Sequence, residues 1–133
     1  MRVYKYPFSP RFADTDAASI VHFSKVFCYV EEAEHNYLQS LGFPINPASP
    51  KCYQWPRVSC SSEYLRPIVA FHPLHVVLTV SRLGKTSIIW YWEIQGEKHT
   101  YARGELKTVC CKITDNQMMS CEIPEDLRKT LSE

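Results

Sequence analysis

Two carboxylates separated by a single residue, Asp14 and Asp16, stand just before the longest periodic apolar segment of the sequence. A run of small residues, 17–19, follows them and leads towards a segment, residues 26–41, that is predicted to be helical. A helix start offers unpaired backbone N–H groups and a partial positive charge, which favour anions and developing negative charge. The sequence therefore predicts an acid or nucleophile beside a site that can hold an oxyanion.

The helix prediction depends on apolar residues that recur every three or four positions. They are Val26, Val30, Ala33, Tyr37 and Leu41. This spacing places their side chains on one face of an α-helix of about five turns. A glycine followed by Phe43-Pro44 is typical of a helix end.

The rest of the chain has the pattern of short strands. Residues 2–12 alternate in polarity but contain two prolines, which predicts an edge strand. The later runs with high strand propensity are residues 53–65, 75–83, 86–95 and 99–113, the last interrupted by Gly104. Residues 124–131 predict a short terminal helix.

One long helix combined with five strands indicates an α+β fold, in which the helix crosses one face of a curved antiparallel sheet. Residues 88–92 are apolar or aromatic without alternation, which predicts a central strand with the helix on one side. Because large exposed apolar patches are rare in monomers, we expect a second subunit to cover the other side.

The residues around the carboxylates resemble a known family. Three segments carry the resemblance: Arg11-Phe12-Ala13-Asp14-Thr15-Asp16 through Ile20-Val21, then Phe27 to Ala33 with Glu31 in the helix, then Leu38 and Gly42. They are similar to the hotdog-fold acyl-CoA thioesterases of the 4-hydroxybenzoyl-CoA thioesterase type. Weaker matches are Glu63-Tyr64-Leu65-Arg66-Pro67 and Gly84-Lys85-Thr86-Ser87.

The resemblance implies a hotdog fold, with one long central helix wrapped by a curved antiparallel sheet of five or six strands, formed by residues 1–133 as a single domain. It also implies that two subunits pair their sheets edge to edge with the active sites at that interface. We therefore expect a homodimer or a homotetramer.

The resemblance further places the catalytic role on Asp16 and the polarisation of the thioester carbonyl on the backbone N–H of Phe23. A carboxylate can attack the thioester to form a mixed anhydride, or it can activate water as a general base. The sequence leaves both routes open. Asp14 is expected to be part of the scaffold of the turn.

Some residues depart from the family pattern. Ala18 and Ser19 stand where members commonly have glycines, and Ala and Ser adopt positive φ less readily. His22 stands where an aromatic residue is frequent, so it is either a second catalytic or substrate-orienting group or it fills the aromatic space. Glu31 in the helix is the reserve candidate for the base.

Cations near the predicted hairpins are candidates for binding the phosphates of coenzyme A. Lys85 is the first choice, since it lies in the turn that resembles the family's nucleotide-contacting hairpin, and Arg82 and Arg103 are the others. We expect no cofactor, because coenzyme A is part of the substrate. We also expect no metal, because no second histidine follows His22 at ligand spacing.

Composition bears on the class of partner. The 133 residues carry a net charge of +1 with scattered basic residues, so nucleic acid is not an expected partner. No apolar run approaches the roughly 20 residues that cross a bilayer, and the first residues lack a signal-peptide core, so a cytoplasmic protein is expected. The six cysteines are expected to be reduced, with Cys28 and Cys60 packed in the core rather than nucleophilic.

The acyl group stays open at this point. An aroyl-CoA and a short or medium aliphatic acyl-CoA are both compatible with the sequence, as is an acyl group on a carrier protein. A non-catalytic hotdog module that binds acyl-CoA or a protein partner is the alternative function. A dehydratase of the same fold is disfavoured, because the histidine motif of such enzymes is not visible.

Overall fold

The computed structural model describes residues 2–133, and Met1 lies outside them. It contains seven strands and two α-helices within that range. In chain order they are β1 (Val3–Phe8), α1 (Lys25–Ser40), β2 (Arg57–Tyr64), β3 (Leu74–Leu83), β4 (Ser87–Gln95), β5 (Thr100–Val109), β6 (Cys111–Thr114), β7 (Gln117–Ser120) and α2 (Glu125–Leu131).

Five of the strands form one antiparallel sheet in the order β1-β3-β4-β5-β2. The predicted edge position of the first strand is confirmed, since β1 pairs only with β3. β2 forms the opposite edge and β4 the centre. Irregular register in β2–β5, β3–β4 and β4–β5 marks places where the sheet bends.

Helix α1 packs against one face of this sheet through aromatic contacts. The ring centroid of Tyr37 lies 6.0 Å from that of Trp90, and the centroid of Phe27 lies 6.3 Å from that of Trp92. The two tryptophans are fully buried, while the residues that alternate with them, such as Tyr91, are only partly buried. The central strand is thus confirmed, and the second subunit over the other face stays a prediction.

The end of α1 follows its sequence signal closely. Gly42 has φ +90°, which glycine adopts without steric cost. The N–H of Gly42 donates to Gln39 and the N–H of Phe43 to Leu38, at 3.0 and 2.9 Å. These two bonds form a Schellman motif that satisfies the last carbonyls of the helix.

The prediction of one strand over residues 99–113 is wrong. β5 ends at Val109, and the chain then forms a separate two-stranded hairpin, β6–β7. Its turn places Asp115 at φ 51° and Asn116 at φ 62°, as a type I′ turn requires. The sequence Asp115-Asn116-Gln117 is typical of a turn, whereas the break after Val109 has no sequence signal, because the strand pattern runs across Cys110 without a turn residue.

The predicted interruption at Gly104 is also wrong, since Gly104 lies inside β5. A Cβ atom at this position would lie 1.9 Å from the Ser61 carbonyl oxygen and 2.7 Å from the Trp92 indole. Glycine is therefore the residue that lets β2 and the buried indole approach β5, and it does not end the strand.

The terminal helix is confirmed as α2, which covers the β3–β4 turn. Leu127 and Leu131 are buried, and the Arg128 guanidinium donates to the carbonyls of Gly84 and Lys85 at 2.7 and 2.9 Å. These contacts join the end of the chain to the sheet.

Candidate active site

Residues 15–21 form a closed loop before α1. The N–H of Asp16 donates to the Ile20 carbonyl at 2.9 Å, and the N–H of Ser19 donates to the Asp16 carbonyl at 2.9 Å. Ser19 adopts φ +64°, a backbone conformation that is unfavourable for residues other than glycine. The turn geometry is therefore reached without the family's glycines.

The Asp16 side chain lies on the outside of this loop. Its Oδ1 accepts a hydrogen bond from the Ala18 N–H at 2.8 Å, an Asx turn that fixes the orientation of the carboxylate. Its Oδ2 has no hydrogen-bond partner within residues 2–133, and the residue is exposed. One oxygen is thus held by the backbone and the other is available for chemistry.

Asp14 has the opposite environment. It is 6% exposed, and its Oδ2 accepts from the Tyr29 hydroxyl at 2.6 Å and from the Arg11 Nε at 3.1 Å. Burial alone raises the pKa of Asp14, but the hydrogen bonds from Tyr29 and Arg11 outweigh it and lower the pKa below its usual value. Burial and this contact also raise the pKa of Tyr29.

The backbone at the helix start presents a free donor. The N–H of His22 donates to the Asp14 carbonyl at 2.8 Å, and the His22 carbonyl accepts from the Lys25 N–H at 2.9 Å. The second bond fixes the peptide that joins His22 to Phe23. Because this peptide is trans, the Phe23 N–H points in the opposite direction from the His22 carbonyl. Within residues 2–133 the Phe23 N–H donates to no group.

A cavity of about 360 Å³ brings the Asp16 carboxyl and Phe23 together. Its walls come from the loop, the start of α1, the end of β2 and the segment that follows β2. The lining residues are Asp16, Ile20, Val21, Phe23, Val26, Tyr64, Leu65, Arg66, Pro67 and Ile68. The residue with the exposed carboxylate and the residue with the unpaired backbone N–H thus line one largely apolar cavity.

His22 does not line this cavity. Its Nδ1 lies 2.7 Å from the Ser24 hydroxyl and accepts from the Ser24 N–H at 3.3 Å, and its ring lies 4.5 Å from the Phe23 ring. The imidazole therefore accepts from the N–H of Ser24, the N-cap residue of α1, which is one of the backbone donors left without an intrahelical partner at a helix start.

Glu31 lies on another part of α1, away from the cavity walls. Its carboxylate contacts Arg57 at 3.3 Å, and Arg57 also pairs with the buried Glu34, with Nη1 3.1 Å from Oε2. Burial raises the pKa of Glu34, and Arg57 offsets part of that rise. Glu31 and His35 line a second cavity of about 400 Å³ on that side of the helix.

The three cations expected to bind phosphate also lie outside the Asp16 cavity. Lys85 Nζ pairs with Glu122 at 3.2 Å, and Arg103 Nε pairs with Glu63 at 3.3 Å. Arg82 is exposed on β3 at an irregular point in its pairing with β4. Their role in substrate binding stays a prediction.

Comparison with known proteins identifies the family. The model of the thioesterase-like superfamily matches residues 10–131. The chain belongs to the thioesterase-like superfamily.

Relatives of this thioesterase-like chain include a 1,4-dihydroxy-2-naphthoyl-CoA hydrolase of Synechococcus sp. (strain WH7803), 30% identical over 107 residues, 74% of this chain and 70% of the relative. A protein of the same name from Synechococcus sp. (strain RCC307) is 27% identical over a region that covers 91% of this chain and 95% of that relative. A gentisyl-coenzyme A thioesterase of known structure is 27% identical with a TM-score of 0.83, covering 93% of this chain and 98% of that chain.

These similarities confirm two expectations, the hotdog thioesterase fold and the assignment of the chain as an enzyme of the thioester hydrolase class. The main sheet has five strands, which agrees with the prediction of five or six, and a separate two-stranded hairpin accompanies it. The narrower 4-hydroxybenzoyl-CoA type is not distinguished by these relatives.

Among the cavity residues that sequence reasoning missed, two have polar side chains, Tyr64 and Arg66. The segment that contains them was noted for its resemblance to the family, but without a role for either side chain. The Tyr64 hydroxyl donates to the Phe23 carbonyl at 2.8 Å, and the Arg66 side chain has no partner in the described part of the chain. Both residues are far from Asp16 in sequence, so the sequence contains no signal that they line the same cavity.

The cysteine expectation was partly wrong. The six thiols are free, but Cys28 and Cys60 are exposed rather than packed in the core. Cys28 lies on the outer side of α1 and Cys60 on the edge strand β2, where nothing in residues 2–133 covers them.

No group of three or more His, Cys, Asp or Glu side chains that could hold a metal ion is found among residues 2–133 of this thioesterase-like chain. In the same range, neither helix combines the length and the apolar character needed to cross a membrane.

Proposed function

We propose that the protein hydrolyses the thioester of an aroyl-CoA, with Asp16 as nucleophile or general base and the Phe23 N–H as oxyanion donor. The observation that carries this proposal is the shared cavity, which is lined both by the residue with the exposed carboxylate and by the residue with the unpaired backbone N–H. Thioester hydrolysis needs both an activated nucleophile and a donor for the developing negative charge.

The names of the relatives support an aromatic acyl group. The hydrolases of the two Synechococcus strains are named for 1,4-dihydroxy-2-naphthoyl-CoA, and the structural neighbour is named for gentisyl-coenzyme A. The apolar walls of the cavity, with Phe23 and Tyr64, also suit a flat ring.

We further propose a homodimer or homotetramer in the cytoplasm, with the site completed at a subunit interface. The edge strand β2 supports this proposal, since its outer side is unpaired among the described residues. Tyr64, at the end of this strand, lines the Asp16 cavity, so a second subunit paired along β2 would lie beside the cavity.

Asp16→Asn tests the catalytic assignment. The substitution keeps the shape of the side chain and its Asx turn but removes the basic and nucleophilic oxygen, so kcat should fall by at least about 100-fold. KM and the midpoint of thermal unfolding should stay near those of the wild type. Thiol release from a panel of aroyl-CoA, aliphatic acyl-CoA and acyl-carrier thioesters provides the measurement.

Asp115→Asn is the matched control. Asp115 lies in the exposed β6–β7 turn, so this substitution should leave turnover unchanged. Undiminished hydrolysis by Asp16→Asn would refute the role of Asp16. A preference for aliphatic thioesters across the panel would refute the aroyl assignment alone.

A further inference from the structure

The hydroxyl of Tyr64 makes a single tertiary contact, which joins the end of β2 to the start of α1. It donates to the Phe23 carbonyl at 2.8 Å across 41 positions of sequence. The ring of Tyr64 lines the same cavity as Asp16, and the residue is 47% exposed. The tyrosine therefore contributes its ring to the cavity wall and its hydroxyl to the backbone behind the oxyanion donor.

Phe23 has few other restraints of its own. Its side chain is 64% exposed, so packing holds it weakly. Its carbonyl precedes α1 and accepts no backbone hydrogen bond in the described residues, which leaves the Tyr64 hydroxyl as its donor.

The peptides on the two sides of the Phe23 Cα are therefore held by different means. The preceding peptide, which carries the N–H donor, is fixed through the His22 carbonyl by the Lys25 N–H. The following peptide is held at the Phe23 carbonyl by Tyr64 and at the Ser24 N–H by the His22 imidazole. The preceding peptide can still rock if the Phe23 Cα moves, and a hold on the following peptide limits that movement. Of the two groups that provide this hold, the Tyr64 hydroxyl is the one that belongs to the sheet.

We infer that Tyr64 is a positioning residue, whose hydroxyl holds the Phe23 backbone so that its N–H stays directed at the thioester oxygen. This inference rests on the proposed function. The tyrosine donates no proton to the substrate in this role, because its hydroxyl is used by the Phe23 carbonyl.

Tyr64→Phe tests the inference, because it keeps the ring in the cavity wall and removes only the hydroxyl. The loss of one hydrogen bond that supports a catalytic donor should lower kcat about 3- to 10-fold. KM should change less than about 2-fold, since the wall that binds the acyl group is retained. A purely structural role would not separate kcat from KM in this way.

Hydrogen exchange gives a second, independent measurement. Amide exchange followed by mass spectrometry should be faster in peptides that contain residues 21–25 of Tyr64→Phe than in those of the wild type, with the rest of the chain unchanged. Light scattering on the same samples confirms that the assembly is unaltered.

Tyr91→Phe is the matched control. The Tyr91 hydroxyl donates to Glu93 at 2.8 Å on the side of β4 that faces away from α1, so this variant also loses one tyrosine hydrogen bond but leaves Phe23 untouched. It should keep the kcat, the KM and the exchange rates of residues 21–25.

The outcomes separate this inference from the proposed function. If the wild type hydrolyses an aroyl-CoA and Asp16→Asn does not, while Tyr64→Phe keeps full kcat or unchanged exchange at residues 21–25, the positioning role is refuted and the proposed function stands. If the wild type hydrolyses no thioester of the panel, the proposed function fails, and faster exchange in Tyr64→Phe then supports only the contact with Phe23.

Discussion

Asp14 and Asp16 are separated by one residue, yet the Asp14 side chain is buried and the Asp16 side chain is exposed to water. Asp14 is buried and joins the short turn at residues 12–14 to Tyr29 and Arg11, whereas Asp16 lines a cavity and has one oxygen unpaired. The same functional group is thus used once as a structural anchor and once as the proposed reactive group. Burial and hydrogen bonding, rather than residue type, make this division.

The pH dependence of stability should report the anchoring role of Asp14. Its pKa in the folded state is below the unfolded value of about 3.9, so it stabilises the fold above that pH, and this contribution is lost as the pH falls through the folded-state pKa. Asp14→Asn should therefore reduce the free energy of unfolding at pH 7 by about 2 kcal/mol. The difference from the wild type should shrink below about pH 4.

Chemical denaturation at pH 7 and pH 3 provides this measurement. Asp16→Asn is the internal control, since the exposed Asp16 carboxylate should contribute little to stability at either pH. An equal loss of stability for both variants at pH 7 would contradict the separation of their roles.

His22 is expected to cap the helix rather than to perform chemistry. His22→Phe keeps an aromatic ring against Phe23 but removes the acceptor for the Ser24 N–H, so stability should fall by about 1 kcal/mol. Turnover should stay within about 3-fold of the wild type, whereas loss of a general acid or base would cost on the order of 100-fold or more. Steady-state kinetics with thermal unfolding of the same sample distinguishes the two roles.

At the scale of elements, the tight fit between β5 and its neighbours depends on Gly104. This residue lies in register between Trp92 of β4 and Ser62 of β2, and the space above it is filled by the Trp92 indole. The absence of a side chain therefore decides how closely the edge strand with Tyr64 approaches the rest of the sheet.

Gly104→Ala should destabilise the fold by about 2 kcal/mol, since the added methyl group would force β2 or the indole to move. Glu105→Ala, at the exposed neighbouring position of β5, should change stability by less than about 0.5 kcal/mol. Urea denaturation of both variants measures the effect. A Gly104→Ala variant as stable as the wild type would show that the sheet adjusts without cost.

At the scale of the whole molecule, residues 2–133 leave both sheet edges, two thiols and several apolar side chains uncovered. β2 is unpaired on its outer side among the described residues, and Val58 on this strand is 57% exposed. An edge strand with exposed apolar side chains favours pairing with another chain. These features support the proposed interface between subunits next to the Asp16 cavity.

The mass in solution should be two or four times that of the 15.5 kDa chain. If a partner subunit completes the site, specific activity should fall on dilution at the same concentrations at which the assembly dissociates. Light scattering and turnover measured over one dilution series test both statements. A monomer with full activity would refute the interface site.

The sequence by itself determined the features that arise from neighbouring residues. The 3.6-residue periodicity predicted α1, Gly42 predicted its end, and the two carboxylates predicted a turn that leads into a helix start, because each of these depends on local backbone conformation. The edge position of β1 likewise followed from the two prolines within residues 2–12. Only the resemblance to a family distinguished Asp16 from Asp14 at that stage.

The tertiary structure decided what depends on distant residues. It buried Asp14 beside Tyr29, placed Tyr64 against Phe23, brought Arg66 to the cavity, and showed that Gly104 belongs within a strand. None of these follows from spacing, because the strand register and the packing of α1 on the sheet set which side chains meet. Asp14 and Asp16 acquire different roles for the same reason, because the burial of a side chain depends on the whole folded chain and not on the segment that contains it.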